Sequence, residues 1–139
     1  MSPEENKVIV RHYLETAWNK KDPTIIDDLV ADDFVQHAQN VQPGREGVKN
    51  FFRMLYGGFP DAHFTLENIM AEGNQVATRF TVRGTHQGPF LGIPATGKSM
   101  TLTGMALLEL RDGKIVANWN ELDMLGALQQ LGVIPKPQG

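Results

Sequence analysis

The stretch Phe64-Thr65-Leu66-Glu67-Asn68-Ile69-Met70-Ala71-Glu72-Gly73-Asn74-Gln75-Val76-Ala77-Thr78-Arg79-Phe80-Thr81-Val82 decides the fold. Phe64, Leu66 and Met70 recur at even spacing, Glu72-Gly73-Asn74 supplies turn chemistry, and Val76, Thr78, Phe80 and Val82 alternate again. A period of two on both sides of a glycine-containing turn predicts a hairpin with one apolar face. Arg79 and Arg83 fall on the face opposite Phe80.

Toward the carboxyl end, a Gly/Pro-rich loop from Gly88 to Gly97 leads to a strand ending near Leu110. Arg111-Asp112-Gly113-Lys114 turns it into a last strand from Ile115 to about Leu122. A short helix from Met124 to Leu131 follows, ended by Gly132 and Pro135. Toward the amino end the period changes. Ser2-Pro3-Glu4-Glu5 is a capping box with proline at the first helical position, and Val10, Tyr13, Leu14, Ala17 and Trp18 form an apolar stripe. Asp22-Pro23 starts a second helix carrying Ile25, Ile26, Leu29 and Val30, with a short extended segment at Phe34-Val35-Gln36 beyond it. A third helix follows Pro43-Gly44, buries Val48, Phe51, Phe52, Leu55 and Tyr56, and stops at Gly57-Gly58. Helices followed by an antiparallel sheet make an α+β layout in which the helices cover one face of a curved sheet and leave a pocket between the layers.

A chain of 139 residues with 41% hydrophobic and 21% charged residues fits a single domain, 1–139, that buries a core. Its net charge of −3 lacks the basic surplus that binding to a phosphate backbone draws on, so nucleic acid is not an expected partner. The longest apolar run, Met105-Ala106-Leu107-Leu108, is far short of the roughly 20 residues that cross a bilayer, and no membrane association is expected. The first residues lack the basic and apolar regions of a secretory signal, which predicts a cytoplasmic location. With no cysteine, disulfides, thiolate metal sites and cysteine nucleophiles are excluded.

Gly92-Ile93-Pro94-Ala95-Thr96-Gly97-Lys98-Ser99 spells a phosphate-binding P-loop. The mechanism needs a helix after the loop, so that its amino-terminal amides face the phosphates. Met100 to Leu110 reads instead as a strand, and the nucleotide reading is rejected.

Strand parity places Ile115, Ala117, Trp119, Glu121 and Asp123 on one face of the last strand and Val116, Asn118, Asn120 and Leu122 on the other. Two neighbouring carboxylates beside Trp119 are candidates for proton transfer, because burial and mutual repulsion raise a carboxyl pKa toward neutrality. Asp123 also immediately precedes the last helix, where aspartate is a favoured cap, and the two roles can coexist. Glu121 is more simply a strand-end surface residue if a bulge breaks the parity. His86 has the parity of Phe80 and Val82 at the edge of the Gly88–Gly97 loop, and His37 follows the Phe34-Val35-Gln36 segment. Each is read either as a hydrogen-bonded structural histidine or as a site group. His12, His37, His63 and His86 are scattered without ligand spacing, so no metal site is expected. Tyr13, Trp18, Phe51, Phe52 and Tyr56 are most simply core residues, and a ligand-facing role for Tyr13 or Tyr56 requires hydroxyl partners in the pocket.

Asp33-Phe34-Val35-Gln36-His37, Gly84-Thr85-His86-Gln87-Gly88, Leu91 to Lys98, Asp112-Gly113-Lys114-Ile115, and the run from Trp119 through Asp123-Met124-Leu125-Gly126 to Gln130-Leu131-Gly132 carry a family resemblance. Together they resemble the SnoaL-like polyketide cyclases, or ester cyclases, of the nuclear-transport-factor-2-like superfamily, over nearly the whole chain. The resemblance implies a cone-shaped α+β barrel around an apolar cavity and ring closure of a polyketide methyl ester by intramolecular aldol condensation, a lyase-type reaction without cofactor or metal. It maps Asp123 onto the family's acid/base aspartate, and His86 and His37 onto histidines near the cavity as positioning groups. Trp119, Glu121, Tyr13, Phe51, Met105 and Leu107 are the candidate substrate contacts, with Met105 and Leu107 standing on the penultimate strand where characterised cyclases of the family carry polar residues. It further implies an apolar small-molecule substrate and a homodimer or higher homo-oligomer. The alternatives are a non-catalytic small-molecule binding protein of the same fold and an isomerase or epoxide-hydrolase type of enzyme.

Overall fold

The computed structural model describes residues 1–37 and 43–135. Helix α1 (Pro3–Asn19) starts at the predicted capping box, with the Glu5 N–H donating to Ser2 Oγ and the Ser2 N–H donating to Glu5 Oε1, both at 3.1 Å. A shorter helix, α2 (Thr24–Leu29), runs into strand β1 (Val30–His37), and α3 (Gly44–Gly58) follows. Four more strands, β2 (His63–Glu72), β3 (Gln75–Thr85), β4 (Ser99–Arg111) and β5 (Lys114–Leu122), precede the last helix, α4 (Met124–Gln130). Val30 therefore opens a strand and is not part of the second helix.

The sheet order is β1-β5-β4-β3-β2. The predicted hairpins β2–β3 and β4–β5 are antiparallel, while β1 pairs parallel with β5 at one edge. Strand β4 follows the Gly92–Ser99 motif directly, so no helix amides face a phosphate there.

Two bulges change which side chains face the helices. Leu66 pairs with Phe80 but Asn68 with Arg79, so Glu67 is an extra residue in β2, and Ile69 and Ala71 then share the helix side with Phe64 and Leu66. Met70, predicted on that face, is instead 67% exposed. In β5, Leu110 pairs with Ile115 and Glu109 with Ala117, leaving Val116 unmatched. Beyond Val116 the inward residues are Asn118, Asn120 and Leu122.

Aromatic packing joins the layers. The Trp18 ring lies 5.1 Å from that of Phe52 edge-on and 5.4 Å from that of Phe64 in a stacked arrangement, with Phe80 and Phe51 at 6.5 and 6.2 Å. One side chain of α1 thus bridges α3, β2 and β3, and truncating such a buried tryptophan costs about 3–5 kcal/mol. Asn19 holds the end of α1 to β2, accepting from the Phe64 N–H at 2.7 Å and donating to the Phe64 carbonyl at 2.9 Å. Arg45 of α3 donates to the Val30 carbonyl at 2.8 Å, holding α3 over β1. These ties set the gap between helices and sheet.

Candidate active site

Between α1, α3 and the inner face of the sheet lies a small cleft. Its walls are mostly apolar: Leu14, Val48 and Phe51 from the helices face Phe80 and Leu108 from the sheet. Side chains with polar atoms in its lining are Tyr13 and Trp18 of α1, Gln36 of β1, and Asn118 and Asn120 of β5. Ligand sites commonly combine apolar walls with a few such convergent polar groups.

Gln36 lies opposite Asn118 in the parallel ladder, and the Asn118 Nδ2 donates to Gln36 Oε1 at 3.4 Å. Asn118 Oδ1 is buried without a partner among the described residues. Tyr13 is 6% exposed, and burial, with the nearby Tyr56 adding a smaller effect, pushes its phenol above the ordinary tyrosine range. Burial does the same to Tyr56. At neutral pH the Tyr13 hydroxyl therefore stands as a proton-bearing hydrogen-bond donor in dry surroundings.

Of the residues singled out from sequence, Tyr13 and Phe51 line this cleft. The bulge at Val116 turns Trp119 and Glu121 to the opposite face of the sheet, where β4 also presents Met105, 59% exposed, and Leu107. Their expected placement in the pocket is corrected by that one-residue shift, since every later side chain of β5 changes face. His37 lies on the outer face too, paired with Trp119 in the ladder and stacked on it. His86 is fully buried outside the cleft, stacked on Phe59. Its Nδ1 accepts from the Thr96 N–H at 3.2 Å and sits 2.9 Å from Thr96 Oγ1, which assigns the ring proton to Nε2. That histidine fastens the Gly88–Gly97 loop to the end of β3.

Asp123 is the N-cap of α4: its Oδ1 accepts from the Gly126 N–H at 2.9 Å, and the side chain is exposed. It follows Asn120 of the cleft wall by three residues, about 10 Å along an extended strand. No group of three or more histidine, aspartate or glutamate side chains among the described residues is arranged to hold a metal ion. No helix of the described residues is long and apolar enough to cross a membrane.

The profile of the SnoaL-like polyketide cyclases matches residues 8–131. The chain belongs to that family. This SnoaL-like chain is 26% identical to the aklanonic acid methyl ester cyclase DauD of Streptomyces sp. (strain C5) over 144 aligned residues, spanning all of this chain and 88% of DauD. It is 32% identical to the aklanonic acid methyl ester cyclase DnrD of Streptomyces peucetius over 87 residues, 62% of this chain and 60% of DnrD. Among solved structures it resembles TsrD from Streptomyces laurentii, with a TM-score of 0.87 and 27% identity over 96% of this chain and 99% of that one. It also resembles AclR from Streptomyces galilaeus, provisionally described as a hydroxylase, with a TM-score of 0.89 and 30% identity over 99% of this chain and 87% of AclR.

Sequence parity missed the amides of this SnoaL-like site. Asn118 and Asn120 are hidden because an unbroken β5 puts them on the solvent side, and Gln36 because its place depends on the long-range pairing of β1 with β5. Glu121 was the available signal: a charged residue on the supposed apolar face of the strand is cheaper to accommodate by a bulge than by burial.

Proposed function

We propose that residues 1–139 form one domain whose cleft takes up a polyketide-like compound with several carbonyls and promotes its intramolecular aldol-type ring closure without a cofactor. The observation that carries this reading is a largely apolar, aromatic-lined cleft into which Tyr13, Gln36, Asn118 and Asn120 bring polar groups, with Asn118 Oδ1 lacking a donor among the described residues. The activated methylene between two carbonyls loses a proton, and its electron pair enters an enolate. The enolate carbon attacks a second carbonyl of the same molecule, the new C–C bond forms, and the carbonyl π pair becomes an alkoxide that takes up a proton. Amide N–H groups and the Tyr13 O–H supply hydrogen bonds to the developing oxyanions in a site poor in water. Holding the chain bent supplies the rest, since proximity in well-oriented reactions is worth about 7–11 kcal/mol. That DauD and DnrD are aklanonic acid methyl ester cyclases supports this choice of substrate class.

In this reading Asp123 is the candidate acid/base. Its Oδ1 is engaged by the Gly126 N–H, and Oδ2 is the oxygen left to exchange a proton with a substrate reaching out of the cleft. The exposure of Asp123 and the lack of a carboxylate or imidazole among the described lining residues favour a second reading, in which the same cleft holds the compound without converting it.

Asp123→Asn separates the two, because asparagine keeps the cap while removing the base. With a β-polycarbonyl methyl ester, loss of ring closure at unchanged affinity supports Asp123 as acid/base. Unchanged closure removes Asp123 from the chemistry. Tight binding by the unaltered chain with no closure above buffer establishes the binding reading.

A further inference from the structure

Asn118 Oδ1 is a buried carbonyl oxygen in the cleft wall with no donor among the described residues, beside a Gln36 amide that receives one long hydrogen bond at 3.4 Å. Buried polar groups are nearly always satisfied, so an unmatched acceptor in a ligand cleft calls for a donor from what binds there. The conclusion does not depend on how the two amides are turned. As placed, the pair leaves the Asn118 C=O and the Gln36 NH2 open. With both amides flipped, it leaves the Gln36 C=O and the Asn118 NH2 open. One acceptor and one donor stay side by side in either case.

We infer that the Gln36–Asn118 amide pair selects ligands carrying a hydroxyl and a carbonyl on one edge, with the O–H of a phenol or enol donating to the free amide oxygen and the ligand C=O accepting from the free amide N–H. The inference rests on the cleft being the binding site proposed above and adds what that cleft demands of its ligand. A molecule with carbonyls alone leaves the amide oxygen unmet, and a site built to hydrogen-bond a hydroxyl discriminates strongly against an analogue lacking it. For a polycarbonyl compound the consequence is preferential uptake of the enol tautomer. The O–H and C=O must not be closed on each other by an internal hydrogen bond, because the amide pair would then have to open it.

The test compares meta-hydroxyacetophenone, whose hydroxyl cannot bond its own carbonyl, with its O-methyl ether, by calorimetric or fluorescence titration of the full chain. The unaltered chain should bind the phenol roughly tenfold or more tighter than the ether. Of Asn118→Leu and Gln36→Leu, the one that removes the free amide oxygen should bring the ratio close to one, while the other leaves the preference for the phenol in place. Equal affinities for the unaltered chain, or a preference that survives both substitutions, overturn the inference while the cleft remains a binding site. If neither compound binds up to millimolar concentration, the cleft reading falls as well.

Discussion

His37 lies flat on Trp119, ring centroids 4.5 Å apart and planes 3° from parallel, on the face of the sheet turned away from the cleft. A histidine that family resemblance places near the cavity and a candidate substrate contact thus meet each other on the far side of the sheet from the cleft. Because both lie across the sheet from Gln36 and Asn118, His37→Ala should change the affinity for meta-hydroxyacetophenone by less than about twofold, as for a site without shared partners. A tenfold loss in the same titration would place the imidazole at the ligand.

Asp123 has a structural duty that separates cleanly from any chemical one. Removing the cap with Asp123→Ala should lower unfolding stability by about 1 kcal/mol, while Asp123→Asn should stay close to the unaltered chain. Denaturant midpoints of the three proteins check this, and equal stability of the alanine and asparagine variants would show that the bond to the Gly126 N–H contributes nothing.

Gly104 sits where β4 passes beneath Phe80 and Leu122. A Cβ there would stand 2.7 Å from Phe80 Cζ and 2.7 Å from Leu122 Cδ2. Gly104→Ala should therefore cost about 1–3 kcal/mol through overpacking, with the Phe80 ring pushed toward the cleft and ligand affinity reduced. An unchanged midpoint would mean that the wall yields without strain.

Asp61 fastens the connection after α3 to the end of β3, accepting from the Thr85 N–H at 2.7 Å and from the Thr85 hydroxyl at 2.8 Å. These bonds, the backbone one foremost, hold its carboxyl below the usual aspartate range. A carboxyl depressed in the folded state stabilises fully above its unfolded value and loses that contribution as pH falls through the folded one. Asp61→Asn should thus be less stable than the unaltered chain at pH 7, with the gap closing as pH drops below about 4. Unfolding curves at both pH values read it directly, and a gap that stays constant would remove the carboxylate from the acid response.

Local sequence signals marked most of the elements, because caps, turns and periods are written in neighbouring residues. The Ser2–Glu5 box, the Gly57-Gly58 stop and the Gly73-Asn74 turn all stand where α1, α3 and the β2–β3 hairpin begin or end. The parallel pairing of β1 with β5 was not legible, since it joins Gln36 to Asn118 across 82 positions. Side-chain direction failed at Glu67 and Val116 for a single reason. A bulge is a property of two paired strands, and a parity count along one strand does not see it. Of the site, the aromatic and tyrosine wall on α1 and α3 was visible as helical stripes, whereas the amide wall on β1 and β5 required the register.

The cleft itself is tested most directly by filling it. Ala106 lines the inner wall between Thr78 of β3 and Asn120 of β5, and Ala106→Leu adds an isopropyl group in the space a substrate would occupy. The rate at which a β-polycarbonyl methyl ester closes its ring, measured for the unaltered chain and for a folded Ala106→Leu variant, should fall toward the buffer rate when the cleft is blocked. Closure by the blocked variant at the unaltered rate would place the chemistry somewhere other than between Tyr13, Gln36 and Asn118.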